Sequence, residues 1–178
     1  MGLFQDIEHE ARKRDLRFLV IGALAVNLHG FPRDSADLDL LILREHRGAW
    51  LALLGKLGYS IDQDADVFVQ LSPPQAGAWP VDLMLVREPT FGTILAGARE
   101  VEMYGARLLI PSLEHLIALK LHALKHGQAR RFLKDFLDVE NLVRVNRLDL
   151  RSPANRELFL KHGDVALYGK ILRACSKP

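Results

Sequence analysis

Three acidic residues interrupt runs that are otherwise apolar: Asp37 and Asp39 in DLDLLIL, and Asp82 in VDLMLV. Strand side chains alternate between faces, so two residues at i and i+2 point the same way. Carboxylates so placed repel unless a cation or bulk water lies between them. If a neighbouring strand brings Asp82 alongside, the three form an all-oxygen set. A hard cation such as Mg²⁺ takes such ligands and keeps waters that a phosphate can replace. Two such ions would polarise a phosphoryl group and activate an incoming hydroxyl. Asp-x-Asp alone also fits a strand cap and a solvated strand end, so its surroundings decide.

Those surroundings point to phosphate. Gly22 lies between a short buried strand, RFLVIG, and one or two helical turns, ALAVNLHG, closed by Gly30. Free backbone N–H groups at such a junction can hold phosphate oxygens. Ala23 keeps that N–H. Arg33, in the loop FPRDSA four residues before Asp37, could meet the same triphosphate.

The elements that must position these residues follow from pattern. Residues 4–15 read as an amphipathic helix with Phe4, Ile7, Ala11 and Leu16 on one side. A helix over REHRGAWLALLGKLG follows the Asp-x-Asp strand. DVFVQL and WPVDLMLV then read as strands joined through the breaker-rich SPPQAGA. A short helix, FGTILAGA, precedes a strand pair, VEMYG and RLLIP. From Ser112, a good N-cap, the chain turns helical: SLEHLIALKLHALKHG, QARRFLKDFLDVENLVRVN and two shorter segments after Pro153. The pattern predicts an α+β arrangement, with an αβ core over 1–111 and a helical C-terminal part over 112–178 packed on it.

In the first long helix, Lys120 falls inside the apolar stripe Leu113, Leu116, Ile117, Leu121 and Leu124. A buried ammonium needs a partner. A nucleotide phosphate, Asp135 or Asp138 would serve, and snorkelling from the stripe's edge is the alternative. His122 and His126 have a spacing that can bind zinc, but Ala123 stands where a metalloprotease has glutamate, so zinc is not expected. His29 is expected to pack in its turn.

Composition bounds the rest. With 24 Lys+Arg against 22 Asp+Glu, the chain is no polycation, so nucleic acid would need a local patch. Arg130, Arg131 and Lys134 offer one. A single cysteine, Cys175, rules out an internal disulfide and a cysteine zinc site. The start, MGLFQDIEHEARKRDL, lacks the apolar core of a signal peptide, and no apolar run reaches a spanning length. A cytoplasmic protein with no membrane partner is expected.

The run VIGALAVNLHGFPRDSADLDLLI, with VDLMLV, resembles the minimal nucleotidyltransferase fold of the DNA polymerase β superfamily. IPSLEHLIALKLHALKHG and RRFLKDFLDVENL resemble the helical motifs of AbiEii-like nucleotidyltransferases, which include toxins of type IV toxin–antitoxin systems. The resemblance spans residues 18–142. It implies that Gly22 belongs to a phosphate-facing turn and that Asp37 and Asp39 are metal ligands. It implies that Asp82 is the third acid, deprotonating the acceptor hydroxyl, and that Lys120 and Asp135 are the catalytic lysine and acid of the helical motifs. The family turn is Gly-Gly or Gly-Ser. Here it is Gly22-Ala23, which loses the serine hydroxyl and adds a methyl group.

The expected function is Mg²⁺-dependent transfer of a nucleoside monophosphate from an NTP to an acceptor hydroxyl, with pyrophosphate leaving. The acceptor could be an RNA end, a protein or a small molecule. Ala23 motivates the alternative, a catalytically weakened nucleotide-binding or partner-binding module with an antitoxin or homodimer partner. An Asp-x-Asp glycosyltransferase is a third reading, against which the short chain and the third acid speak.

Overall fold

The structure, a computed structural model, describes residues 2–127 and 129–176, with 129 and 130 by backbone alone. Contacts divide the chain into two units, Met1–Ala25 with Asp34–Ser112, and Val26–Arg33 with Leu113–Pro178.

The first unit holds α1 (Leu3–Lys13), β1 (Phe18–Val20), the start of α2 (Gly22–Leu28), β2 (Leu38–Leu43), α3 (Arg47–Lys56), β3 (Ser60–Asp64), β4 (Phe68–Ser72), β5 (Val81–Val86), α4 (Thr90–Ala96), β6 (Arg99–Met103) and β7 (Ala106–Ile110). Five strands form one sheet in the order β1-β2-β5-β4-β3. β2 and β5 run parallel and the other neighbours antiparallel, giving a mixed sheet. The period-2 pattern of VDLMLV explains its central place: Val81, Leu83 and Leu85 are buried, while Asp82, Met84 and Val86 lie half-buried on the other face. β4 repeats this with Val69 and Leu71 buried. Trp50 of α3 is fully buried and meets Phe18 edge to face at 5.2 Å. The β6–β7 hairpin packs against β1 and α1, where Tyr104 stacks on Phe4 at 4.5 Å. Phe4, Ile7, Ala11 and Leu16 are all buried, as their spacing predicts.

Two local differences from the sequence pattern have simple causes. The helix expected from Arg44 opens with a 3₁₀ turn, Arg44–His46, before α3 proper. β3, to which the pattern assigns no element, is SIDQD, exposed at every position on the sheet edge. An edge strand with no buried face has no alternation to read.

The second unit holds the end of α2, α5 (Leu113–His126), α6 (Ala129–Val145), α7 (Pro153–His162) and α8 (Val165–Cys175). α5 packs on α6 and α7, and α8 on α6 and α7. Ser152, followed by Pro153 at the first helical position, caps α7, and Asp164 caps α8 by accepting from the Leu167 N–H at 2.7 Å. Among the described residues, no helix is long and apolar enough to cross a membrane.

Partial desolvation against the helix surface holds the His122 and His162 imidazoles below their usual pKa. His126 and Lys125 add to this at His122, and Lys161, His122 and His115 at His162. A histidine harder to protonate when folded leaves the unfolded chain binding more protons below about pH 6.5, so stability falls as pH drops through that value. The urea midpoint is expected to fall between about pH 7 and pH 5, and to fall less in His122→Gln. Equal pH slopes in the two proteins would contradict the assignment.

Candidate active site

Parallel pairing of β2 and β5 sets Asp39 directly beside Asp82. Asp37 stands one residue ahead of β2, on the face shared with Asp39. Oxygen atoms of Asp37, Asp39 and Asp82 lie within 4.8 Å of one another, and all three residues are half-buried. Among the described residues this is the group of three or more His, Cys, Asp or Glu side chains that could hold a metal ion. The donor set fits a hard divalent cation: oxygen only, anionic, and partly open to solvent.

Neighbouring strands hold the acids in place. Gln70 pairs with Asp82 across β4–β5, and its amide donates to Asp82 Oδ2 at 2.9 Å. The Ile21 N–H donates to the Asp39 carbonyl at 3.0 Å, and the Leu38 N–H to that of Pro80 at 2.9 Å. The Ser35 hydroxyl donates to the Asp37 carbonyl at 2.8 Å. Gln70 was not among the expected site residues. The signal was there, since Val69 and Leu71 alternate around it and put it on the acids' face.

Gly22 follows Ile21 with φ +62°, a conformation few L-residues adopt. A Cβ there would come within 1.8 Å of Asp39 Oδ2. The glycine is thus what lets the second carboxylate lie against the turn. Ala23, next in the chain, is 1% exposed. Its methyl group is packed in the interior.

The remaining expected site residues meet in the second unit. Lys120 Nζ lies 2.6 Å from Asp135 Oδ1 and 2.8 Å from Asp138 Oδ2. Arg33 Nη2 donates to Asp138 Oδ2 at 3.0 Å, and Arg33 Nε lies 2.8 Å from Asp138 Oδ1 as an ion pair. Lys120, Asp135 and Asp138 are 7%, 4% and 1% exposed, so each charge depends on the others for solvation. Two cations and two carboxylates balance. Of the partners open to Lys120 from the helix pattern, the acids are the ones in contact.

His122 and His126 are exposed on α5 with ring centroids 4.6 Å apart, and no third ligand joins them among the described residues. Of the basic patch, Arg131 and Lys134 are exposed, and the Arg130 side chain lies outside the described residues.

No family model matches the chain, and neither does any curated protein. Solved structures do. The antibiotic-resistance factor ANT(2'')-Ia matches with a TM-score of 0.61 at 16% identity, over 94% of this chain and 90% of that one. Its crystal structure in complex with adenylyl-2''-tobramycin gives the same score and identity over 94% of each chain. The lincosamide antibiotic adenylyltransferase LnuA, lincomycin-bound, matches at 0.55 and 16% identity, over 78% of this chain and 93% of that one. An antigenic nucleotidyltransferase-like protein from Paracoccidioides brasiliensis matches at 0.54 and 16%, over 97% and 91%. The chain has the nucleotidyltransferase fold. Within that fold the acids stand at the start of the parallel β2–β5 pair, with Gly22 against them.

Gly22→Ala is expected to cost about 1–2 kcal/mol for the left-handed conformation alone, and to displace the Asp39 carboxylate. Urea unfolding checks the first effect and Mn²⁺ titration the second. Unchanged Mn²⁺ affinity would mean that Asp39 does not depend on this contact.

Proposed function

We propose that the protein is a divalent-cation-dependent nucleotidyltransferase that moves a nucleoside monophosphate from an NTP to an acceptor hydroxyl, releasing pyrophosphate. One observation carries the reading: Asp37, Asp39 and Asp82 converge within 4.8 Å in a nucleotidyltransferase fold. In this reading Asp37, Asp39 and Asp82 hold Mg²⁺, and the Gly22–Ala23 turn faces the triphosphate. A cation held there would neutralise phosphate charge as it develops. Asp82, oriented by the Gln70 amide, takes the acceptor's proton as its oxygen attacks the α-phosphorus. The bond to the bridging oxygen breaks and pyrophosphate leaves, so positioning and charge supply most of the rate.

For Lys120, Asp135 and Arg33 we propose a supporting role in place of the catalytic and phosphate-binding ones that the resemblance and the loop position imply. Their charges already satisfy one another with Asp138. The catalytically weakened reading rests on Ala23, and the burial of that methyl group speaks for an active enzyme, since it does not project into an open phosphate path.

The acceptor is the finer question. The structures named for a complex with adenylyl-2''-tobramycin and for a lincosamide antibiotic adenylyltransferase favour a hydroxyl-bearing small molecule. The AbiEii-like helical motifs favour an RNA end or a protein hydroxyl, with an antitoxin partner.

Incubation with α-labelled NTPs, Mg²⁺ and a panel of aminoglycosides, lincosamides, RNA 3′ ends and proteins is expected to label one class. Asp39→Asn or Asp37→Asn is expected to reduce labelling by about 10³-fold or more, with the fold retained by circular dichroism. Undiminished transfer in Asp39→Asn would overturn the site. Transfer appearing only with an added partner protein would restore the weakened-module reading.

A further inference from the structure

Strand pairing within the first unit carries the acids' row onward. Asp39 is paired with Asp82, Asp82 with Gln70, and Gln70 with Gln63. Paired residues on neighbouring strands send their side chains to the same face. The four therefore form one row across β2, β5, β4 and β3, charged at one end and neutral at the other. Burial holds the register. Val69 and Leu71 of β4 are buried on the opposite face, so a slip of one residue would put Gln70 into the core. On β3, an irregularity between Ile61 and Gln63 takes up Asp62 and returns Gln63 to the acids' face.

The neutral half of the row is joined to the site by a hydrogen bond. Gln70 Nε2 donates to Asp82 Oδ2 at 2.9 Å, and an amide that donates through its nitrogen keeps an acceptor oxygen. Ser72 and Ser60, also paired, stand beside the row on the same face, and Phe68 stands on its other side. Gln63 and Ser60 are exposed, while Phe68, Gln70 and Ser72 are half-buried. With strands about 4.8 Å apart, the row runs about 10 Å from Asp82 to Gln63. Amide and hydroxyl groups over that length, beside one aromatic ring, match the hydroxyls and the C–H face of a small ring compound. Among the described residues, none on this face of β2, β5, β4 or β3 is a lysine or arginine. An RNA end brings phosphates that basic side chains must meet, so this face suits it poorly.

We propose that the acceptor is a hydroxyl-rich small molecule without negative charge, seated along this row on β4 and β3. Gln63 and Gln70 bond its hydroxyls, and the hydroxyl nearest Asp82 is the one that reacts. Its oxygen bonds to the α-phosphorus as its proton passes to Asp82 and pyrophosphate leaves. The NTP then lies on the other side of the acids, where Gly22 follows β1. The transfer step rests on the nucleotidyltransferase reading. The binding row does not.

The test adds tobramycin, lincomycin and trehalose in turn to the full chain and follows the side-chain amide signals of Gln63 and Gln70 by NMR. At least one compound is expected to shift both signals saturably, and an oligoadenylate RNA to shift neither. With that compound as acceptor, Gln63→Ala is expected to raise the acceptor KM about threefold to tenfold, as for one or two neutral hydrogen bonds, with the NTP KM within about twofold. Gln63→Asn, which keeps the amide, is expected to recover part of the loss. Gln63 is exposed on an edge strand, so the urea midpoint is expected to stay unchanged in both variants. Amide signals unmoved by all three compounds, or an unchanged acceptor KM in Gln63→Ala, would overturn the subsite. Label passing to RNA ends or to protein, and to none of the three compounds, would overturn the acceptor class. If the amides shifted but the protein neither bound Mn²⁺ nor transferred nucleotide, the nucleotidyltransferase reading would fail and the row would stand as a binding site alone.

Discussion

Mutual repulsion of three carboxylates at one end of a sheet is the constraint on which the rest of this structure depends. With their oxygen atoms within 4.8 Å of one another, the carboxylates repel when all are ionised and nothing positive lies between them. A core has no use for such an arrangement. It persists because parallel β2 and β5 fix Asp39 beside Asp82, the Gln70 amide meets Asp82, and Gly22 leaves room for Asp39. The cost of bringing the acids together in the folded chain is free energy that a divalent cation would recover on binding, and that would favour cations at this site.

The second unit handles buried charge differently. Lys120, Asp135, Asp138 and Arg33 form a neutral set, each ion solvated by an opposite one. An added phosphate would leave that set with excess negative charge. At the acidic end of the sheet, a cation between carboxylate and phosphate would lower the net charge instead. Charge balance thus distinguishes the two groups, although sequence alone marks the residues of both as chemically interesting.

Much of this was legible beforehand. The alternation in VDLMLV and the i, i+2 spacing of Asp37 and Asp39 are local patterns, and the structure keeps both. The amphipathic stripe around Lys120 correctly required a partner. Partnership over long sequence separations was not legible. Arg33 meets Asp138 across 105 positions, and nothing near Arg33 announces an acid on a distant helix. Parallel pairing of β2 with β5 is equally non-local, so the third acid could be named but not placed. Asn27 carries no such signal, because an asparagine late in a short helix reads as a poor helix former, and its two bonds to the Arg33 backbone depend on the turn closing first. β3 escaped because an exposed polar edge carries no periodicity.

Calorimetric titration of each of the four NTPs into the purified protein, with Mg²⁺ and with EDTA in its place, tests the central claim most directly. The account predicts saturable binding of at least one NTP in Mg²⁺ and a loss of affinity of about a hundredfold in EDTA, the scale of a charge-bridging interaction. Equal affinity in both conditions, or no binding in either, would contradict the claim that Asp37, Asp39 and Asp82 form a cation-dependent nucleotide site.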